Sequence, residues 1–393
     1  MVDKEIVARH NLTDRQTDRQ TDRQTDRQTD RQTDRQKFVD FIKGISIILV
    51  LWGHCIQYFS VDSFDFYEDF TFKVIYSFHM PLFMLLSGYV SYWGNNRRLD
   101  VILLKRIKGI GVPLIVWGTF DFILSVFRTA NFSLSQIVNV RNWAQSITEI
   151  WFLWAVLCAS FCMAVIHKLP VNIYIRYAFA FIAIFIFAII PGGTLTAYVY
   201  PYFVIGYAIN EFEIFRNSIY RKVVQPIGAA LWCVLLLFYQ KKHYIYVSGL
   251  LGKIEEYGLI GQLLIDAYRY IIGFVGCTAI IAIARWVFDN LQDKGIKTGF
   301  IQILGQHTLE IYIMQRVVLE RYVAGLYQTA VAYIGKNMIA ENRLIYDLFF
   351  TLFSAVLLGT LLLKISNAVS KYPRINRILF GKSSKVKMNM NAS

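Results

Sequence analysis

The chain has 393 residues, of which 55% are hydrophobic, 16% aromatic and only 17% charged, where an average soluble domain carries roughly a quarter charged residues. Apolar runs of about 18 residues recur between short polar stretches. This excludes a soluble enzyme and a disulfide-built secreted domain. The formal net charge of +14 first suggests nucleic acid, but residues 1–36 hold eight basic and eight acidic side chains and the rest holds 33 and 19. The excess sits in loops and ends, as positive-inside topology requires, so no nucleic-acid partner is expected.

The head, residues 1–36, is polar throughout, with no cleavable signal peptide. From Thr13 to Gln36 it reads Thr-Asp-Arg-Gln six times. It has no apolar face with which to build a core, so disorder is expected. The genetic code allows ACA GAC AGA CAG for these four residues, which is the tetranucleotide ACAG three times over. Gain or loss of one such unit shifts the reading frame. The tract is therefore read as a slippage device that switches expression, a form of phase variation.

The fold class expected for residues 37–370 is all-α: a polytopic membrane bundle of about ten helices. The spans fall near 41–59, 72–92, 109–127, 149–167, 173–190, 195–210, 223–240, 263–285, 301–322 and 345–365. Each reaches about 30 Å as a helix. The first outer loop, Val61 to Phe70, has four acids and no base, whereas Arg97, Arg98, Lys105, Arg106 and Lys108 cluster after the second span. This bias places both termini in the cytoplasm, including a short basic tail at 371–393. Residues 241–262 read as a re-entrant or interfacial piece.

Ionisable residues at mid-membrane cost about 2.5–3.5 kcal/mol on insertion scales, so each needs a reason. Lys43 opens the first span and His54 follows after ten residues; His79 lies inside the second. At about 1.5 Å per residue, His54 is about 20 Å in from the cytoplasmic side and His79 about 10 Å in from the outer side. In a core about 30 Å thick these depths coincide, so the two imidazoles are expected to face one cavity. Lys43 lies about 16 Å below His54 along the helix. A long ligand with an anionic end and a reactive end fits that separation. Asp121, Glu149, Glu310, Gln315 and Arg316 add polarity to the bundle. Asp266 and Arg269, three apart on one helix face, read as a mutual salt bridge. The five Cys lie in apolar spans, and Cys158 and Cys162, one turn apart on a helix face, have no His or acid clustered beside them, so no metal site is expected.

These residues carry a resemblance. The chain is similar to the acyltransferase family 3 membrane proteins, which O-acetylate cell-surface sugars in bacteria. The signals are Lys43 and His54 at ten-residue spacing, preceded by Asp40; the segment FHMPLFMLLSGY; the basic run LLKRIKGIGVPLIVWG; EIWFLWAVL; and ILGQHTLEIYIM. In order and spacing they cover residues 37–320, and their flavour is nearest the fucose-acetylase-like branch. Gln315 stands where many members have a late His, and an amide hydrogen-bonds but carries no proton near neutral pH.

The resemblance implies acetyl-CoA as donor and a lipid-linked or surface glycan as acceptor, in the bacterial inner membrane. On it, Lys43 meets the anionic part of CoA, helped by Arg97, Arg98, Lys105 or Arg106. His54 is the general base, and His79 orients the donor or stabilises the oxyanion. Glu149 and Trp151 hold the acceptor sugar, with Gln315 beside them. Ser87, followed by Gly88, reads as close helix packing rather than a nucleophile. The competing class is a transporter or flippase for a glycan or lipid-linked intermediate, although no convincing repeat relates the two halves.

Overall fold

The computed structural model describes residues 36–59, 65–128, 139–190, 192–326, 329 and 342–382; the repeat head expected to be disordered lies outside them. Among the described residues every regular element is helical. The helices are α1 (Gln36–Tyr58), α2 (Phe70–Tyr92), α3 (Leu99–Arg128), α4 (Val140–Glu149), α5 (Trp151–His167), α6 (Ile173–Ile189) and α7 (Gly193–Glu211). After these come α8 (Gln225–Leu236), α9 (Ile254–Asp293), α10 (Gly299–Gln306), α11 (Thr308–Gln315), α12 (Arg343–Ser370) and α13 (Pro373–Phe380).

Each expected span falls on a helix, but the count differs. Five helices, α1, α2, α3, α9 and α12, are long and apolar enough to cross a membrane by length and composition, and α4 with α5 makes six. The latter pair bends by 82° at Ile150, whose ψ is 52°. The remaining expected spans lie on α6 to α8 and on α10–α11. Of these, α6 is an apolar helix of 17 residues. Its Phe179, Phe181, Ile182, Phe185, Ile186 and Ile189 all face outward. An apolar rind around polar interior residues suits lipid as solvent, and the chain is a multi-pass membrane protein.

Helices approach closely where glycines face each other. A Cβ on Gly88 of α2 would collide with the Phe203 carbonyl of α7, and one on Gly206 with Leu85. The Ser87–Gly88 pair is therefore a packing seam, and the Ser87 hydroxyl donates to its own helix at Phe83 O, 2.8 Å. Gly44 of α1 and Gly305 of α10 form a second seam.

Between α8 and α9 the chain makes two short turns, Lys241–His243 and Ile245–Ser248. Asp266 and Arg269 hold this hairpin. They pair with each other at 2.6 Å, and both are buried. Arg269 also donates to His243 O and Gly249 O, each at 2.9 Å, while Asp266 accepts from Leu251 N at 3.0 Å. The salt bridge is structural, as its spacing predicts, and it ties the re-entrant-looking segment to α9.

Within the described part of the tail, residues 373–380 form a helix. Helix α13 folds back onto α3, with Trp117 Nε1 donating to Leu379 O at 2.9 Å and Phe380 buried.

Candidate active site

The site begins with a helix break. Pro81 has no N–H to offer Ser77, and its ring disfavours a continuous helix there. Helix α2 accordingly breaks at Phe78, whose φ and ψ are −143° and −19°, and restarts at His79. The break lets the His79 ring, rather than its backbone, use the Ile75 carbonyl, with Nδ1 3.0 Å from Ile75 O. A carbonyl only accepts, so Nδ1 carries the proton and a neutral His79 keeps a lone pair on Nε2. Tyr76 packs against the ring at 4.4 Å between centroids.

His54 lies within electrostatic reach of His79. Tyr58, one turn further along α1, stacks on its ring at 6.0 Å. His54 Nδ1 is buried with no hydrogen-bond partner among the described residues. An orphaned buried polar atom of this kind marks a place that a ligand or water satisfies.

The charged Arg316 lies within electrostatic reach of His54. It starts a stretch of π-helix, Arg316–Val323, a local irregularity frequent at functional sites. Glu149 at 3.2 Å and Glu320 at 3.3 Å hold its guanidinium, and Asp121 lies within electrostatic reach. Glu149 sits on the surface and also accepts from Gln145 at 3.2 Å. Gln315 is buried beside Arg316, with Oε1 unpartnered among the described residues.

Two cavities border Met80, next to His79. The larger, about 210 Å³, runs between α1, α2, α3, α5 and α11 and contains Lys43, Val50, Met80, Ser91, Arg106 and Tyr312 in its wall. The Lys43 ammonium has no hydrogen bond or ion pair among the described residues, although Asp40, Glu310 and Lys382 lie within electrostatic reach. Arg106 donates to Ser91 Oγ at 2.7 Å. The smaller cavity, about 20 Å³, is boxed by His79, Tyr76, Trp151, Tyr198, Tyr244 and Tyr246. Met80 borders both cavities.

The structure thus brings Lys43 and Arg106 into the larger cavity and His79 and Trp151 into the smaller one, while His54 lies in the wall of neither and Arg316 pairs with Glu149. It leaves Arg97, Arg98 and Lys105 on the surface, where Arg98 pairs with Asp100 at 3.0 Å. The tyrosines around the histidines escape a search for charged residues. Their signal is spacing, since Tyr58 follows His54 by four residues and Tyr76 precedes His79 by three.

Residues 36–366 match the acyltransferase domain family Acyl_transf_3. The chain belongs to the acyltransferase 3 family. It is 27% identical over 334 residues to "Nodulation protein NolL" of Sinorhizobium fredii (strain NBRC 101917 / NGR234), covering 81% of this chain and 87% of that protein. It is 26% identical over 295 residues to the protein of the same name from Mesorhizobium japonicum (strain LMG 29417 / CECT 9101 / MAFF 303099), covering 71% and 75%. No solved structure matches the chain. The family match covers every residue of both cavities of this acyltransferase and ends within α12, before α13.

Proposed function

We propose that this acyltransferase moves an acetyl group from acetyl-CoA to a hydroxyl of a cell-surface or lipid-linked sugar. It does so in the bacterial inner membrane, with both termini cytoplasmic. The observation that carries the reading is the larger cavity. Its Lys43 end offers an unpaired ammonium and the Arg106 guanidinium to an anion. Its other end reaches Val50, one turn before His54, and Met80, next to His79. The separation of about 16 Å between Lys43 and His54 along α1 suits a phosphate-bearing carrier with a distant thioester.

In this reading His54 takes the proton of the sugar hydroxyl as its oxygen attacks the thioester carbonyl. The C–S bond breaks, and the imidazolium returns the proton to the leaving sulfur, giving the sugar ester and CoA thiol. His79, its Nδ1 proton committed to Ile75, has an acceptor left while neutral. Orientation of the incoming hydroxyl is therefore the role we assign to it. Charge developing on the carbonyl oxygen needs a donor or a cation, and Arg316 is the fixed one in reach. Trp151 and the tyrosine box offer ring faces to a sugar, with Glu149 and Gln315 as hydrogen-bonding partners.

The test compares surface polysaccharide from a strain carrying the gene, from its deletion, and from a His54→Ala complement, by mass spectrometry for a base-labile acetyl increment. The increment is expected in the wild type alone. An increment retained in His54→Ala would remove His54 from the chemistry. No difference in any strain, together with a glycan accumulating inside the deletion, would favour a transporter or flippase.

A further inference from the structure

The free ammonium of Lys43 has a cause elsewhere in the chain. Glu310 on α11 is 1% exposed, and a buried carboxylate draws any cation within reach. That cation is Lys382. Its ammonium pairs with Glu310 Oε1 and donates to Gln306 O at 2.9 Å. His307 Nδ1 stands 3.1 Å from the same carboxylate oxygen. Asp40, the other acid near Lys43, accepts from Gln306 Nε2 at 2.9 Å.

The tail is built to deliver Lys382. Helix α13 ends at Gly381, whose φ of 66° turns the chain back toward the bundle. A Cβ at that position would collide with the Lys108 carbonyl and with Gly109, so only glycine passes. Asn376 Nδ2 then donates to Lys382 O at 3.2 Å. Lys382 itself keeps a side chain 41% exposed, so it is not held there as core.

We propose that Lys382 is a positioning residue of the acyl-donor site: by neutralising Glu310 it leaves the Lys43 ammonium free for the anionic part of the donor. This rests on the donor reading given above. Without Lys382, the Glu310 carboxylate faces Lys43 and withdraws it from the cavity. The acyltransferase 3 body is thereby completed by a residue beyond its own matched segment, residues 36–366.

The test uses the full chain purified in detergent and equilibrium binding of radiolabelled acetyl-CoA. Lys382→Met is expected to weaken binding about tenfold, the loss of roughly one charge contact. Adding Glu310→Gln to it is expected to restore binding to within about threefold of wild type, because the competing carboxylate is gone. Because Glu310→Gln would also relieve a buried unpaired carboxylate, the melting temperature of Lys382→Met is read alongside, and it is expected to lie close to wild type while binding falls. Unchanged binding in Lys382→Met overturns the proposal, and so does a loss that Glu310→Gln fails to restore. If the folded wild type binds no acetyl-CoA, the donor reading itself falls; if wild type and Lys382→Met bind it equally, only the role of Lys382 falls.

Discussion

Gly44 and Gly305 cross with no room for a side chain: a Cβ on Gly44 would collide with the Ile301 carbonyl, and one on Gly305 with the Asp40 carbonyl. This seam fixes α1 against α10 one residue away from Lys43. The close approach lets backbone, not side chains, set the height of Lys43 relative to Glu310. Gly305→Ala should push the helices apart at a cost of about 1–3 kcal/mol. The expected outcome is a lower melting temperature in detergent and at least a tenfold loss of acetyl-CoA affinity. A variant that melts as wild type and binds as wild type would show that the seam does not set the site.

The two histidines should separate binding from chemistry. His54→Ala leaves the Lys43 end of the cavity intact, so acetyl-CoA affinity should change less than threefold. Transfer should fall by about 10²–10⁴, the usual contribution of a general base. His79→Ala should cost less, about tenfold to a hundredfold, because it orients rather than takes the proton. Steady-state transfer to polysaccharide acceptor, measured with purified protein in liposomes, checks both. A larger loss in His79→Ala than in His54→Ala would reverse the two roles.

Arg316 offers a sharper test, since Glu149 and Glu320 grip it from two sides. Arg316→Lys keeps the charge but loses the fork that spans both carboxylates. Transfer is expected to drop about tenfold with donor affinity unchanged. Arg316→Met should drop it by a further factor of about ten, through loss of charge near the reacting carbonyl. Equal activity in both variants would mean that the guanidinium geometry, and not the charge, is what the site uses.

Much of the site is legible from one regularity, the fixed rise of a helix. It predicts His54 and His79 at one depth and Lys43 a carrier's length away; in the structure Lys43 lines the larger cavity, His79 the smaller, and His54 neither, though it lies within electrostatic reach of His79. The basic loop after α2 is less legible. Sequence marks Arg97, Arg98, Lys105 and Arg106 as equals, but only Arg106 sits on the helix face that meets Ser91. The mouth of the cavity is not legible at all. Lys382 lies 72 positions from Glu310, and their pairing depends on how Gly381 turns the tail. The span count suffers from a different cause. Hydropathy counts apolar runs, whereas α6 and α8 are only 17 and 12 residues long and α10–α11 is interrupted at His307.

The hairpin between α8 and α9 makes a prediction about pH. His243 stacks on Tyr268 at 4.2 Å, and its Nδ1 accepts from Gln240 N at 2.9 Å, which fixes the neutral ring. Burial, with Lys242 and then Arg269 nearby, pushes its pKa down to about 4. The unfolded chain takes up this proton below about pH 6.5 and the folded chain does not until about pH 4, so stability falls as pH drops through that window. The melting temperature should therefore decline from pH 7 to pH 5. His243→Gln should flatten the decline. An identical slope in both proteins would assign the dependence to another group.

The Thr-Asp-Arg-Gln head makes a prediction about DNA rather than about folding. A tetranucleotide read in triplets can encode only about 256 of the 160,000 tetrapeptides, so roughly one period in six hundred fits such a repeat by chance. Here the fit is unique: Asp and Gln together force ACAG and no other unit. The same repeat read in either other frame returns the same four residues in rotation, with no stop codon inside the tract. Slippage would therefore leave the head readable and scramble only the membrane body behind it. Sequencing the start of the gene from single colonies should show ACAG repeated about eighteen times, with lengths that vary between colonies. Colonies differing by one or two units should lack surface acetylation, and those differing by three should keep it. Mixed synonymous codons across the six repeats would remove the mechanism and leave the head a plain polar leader.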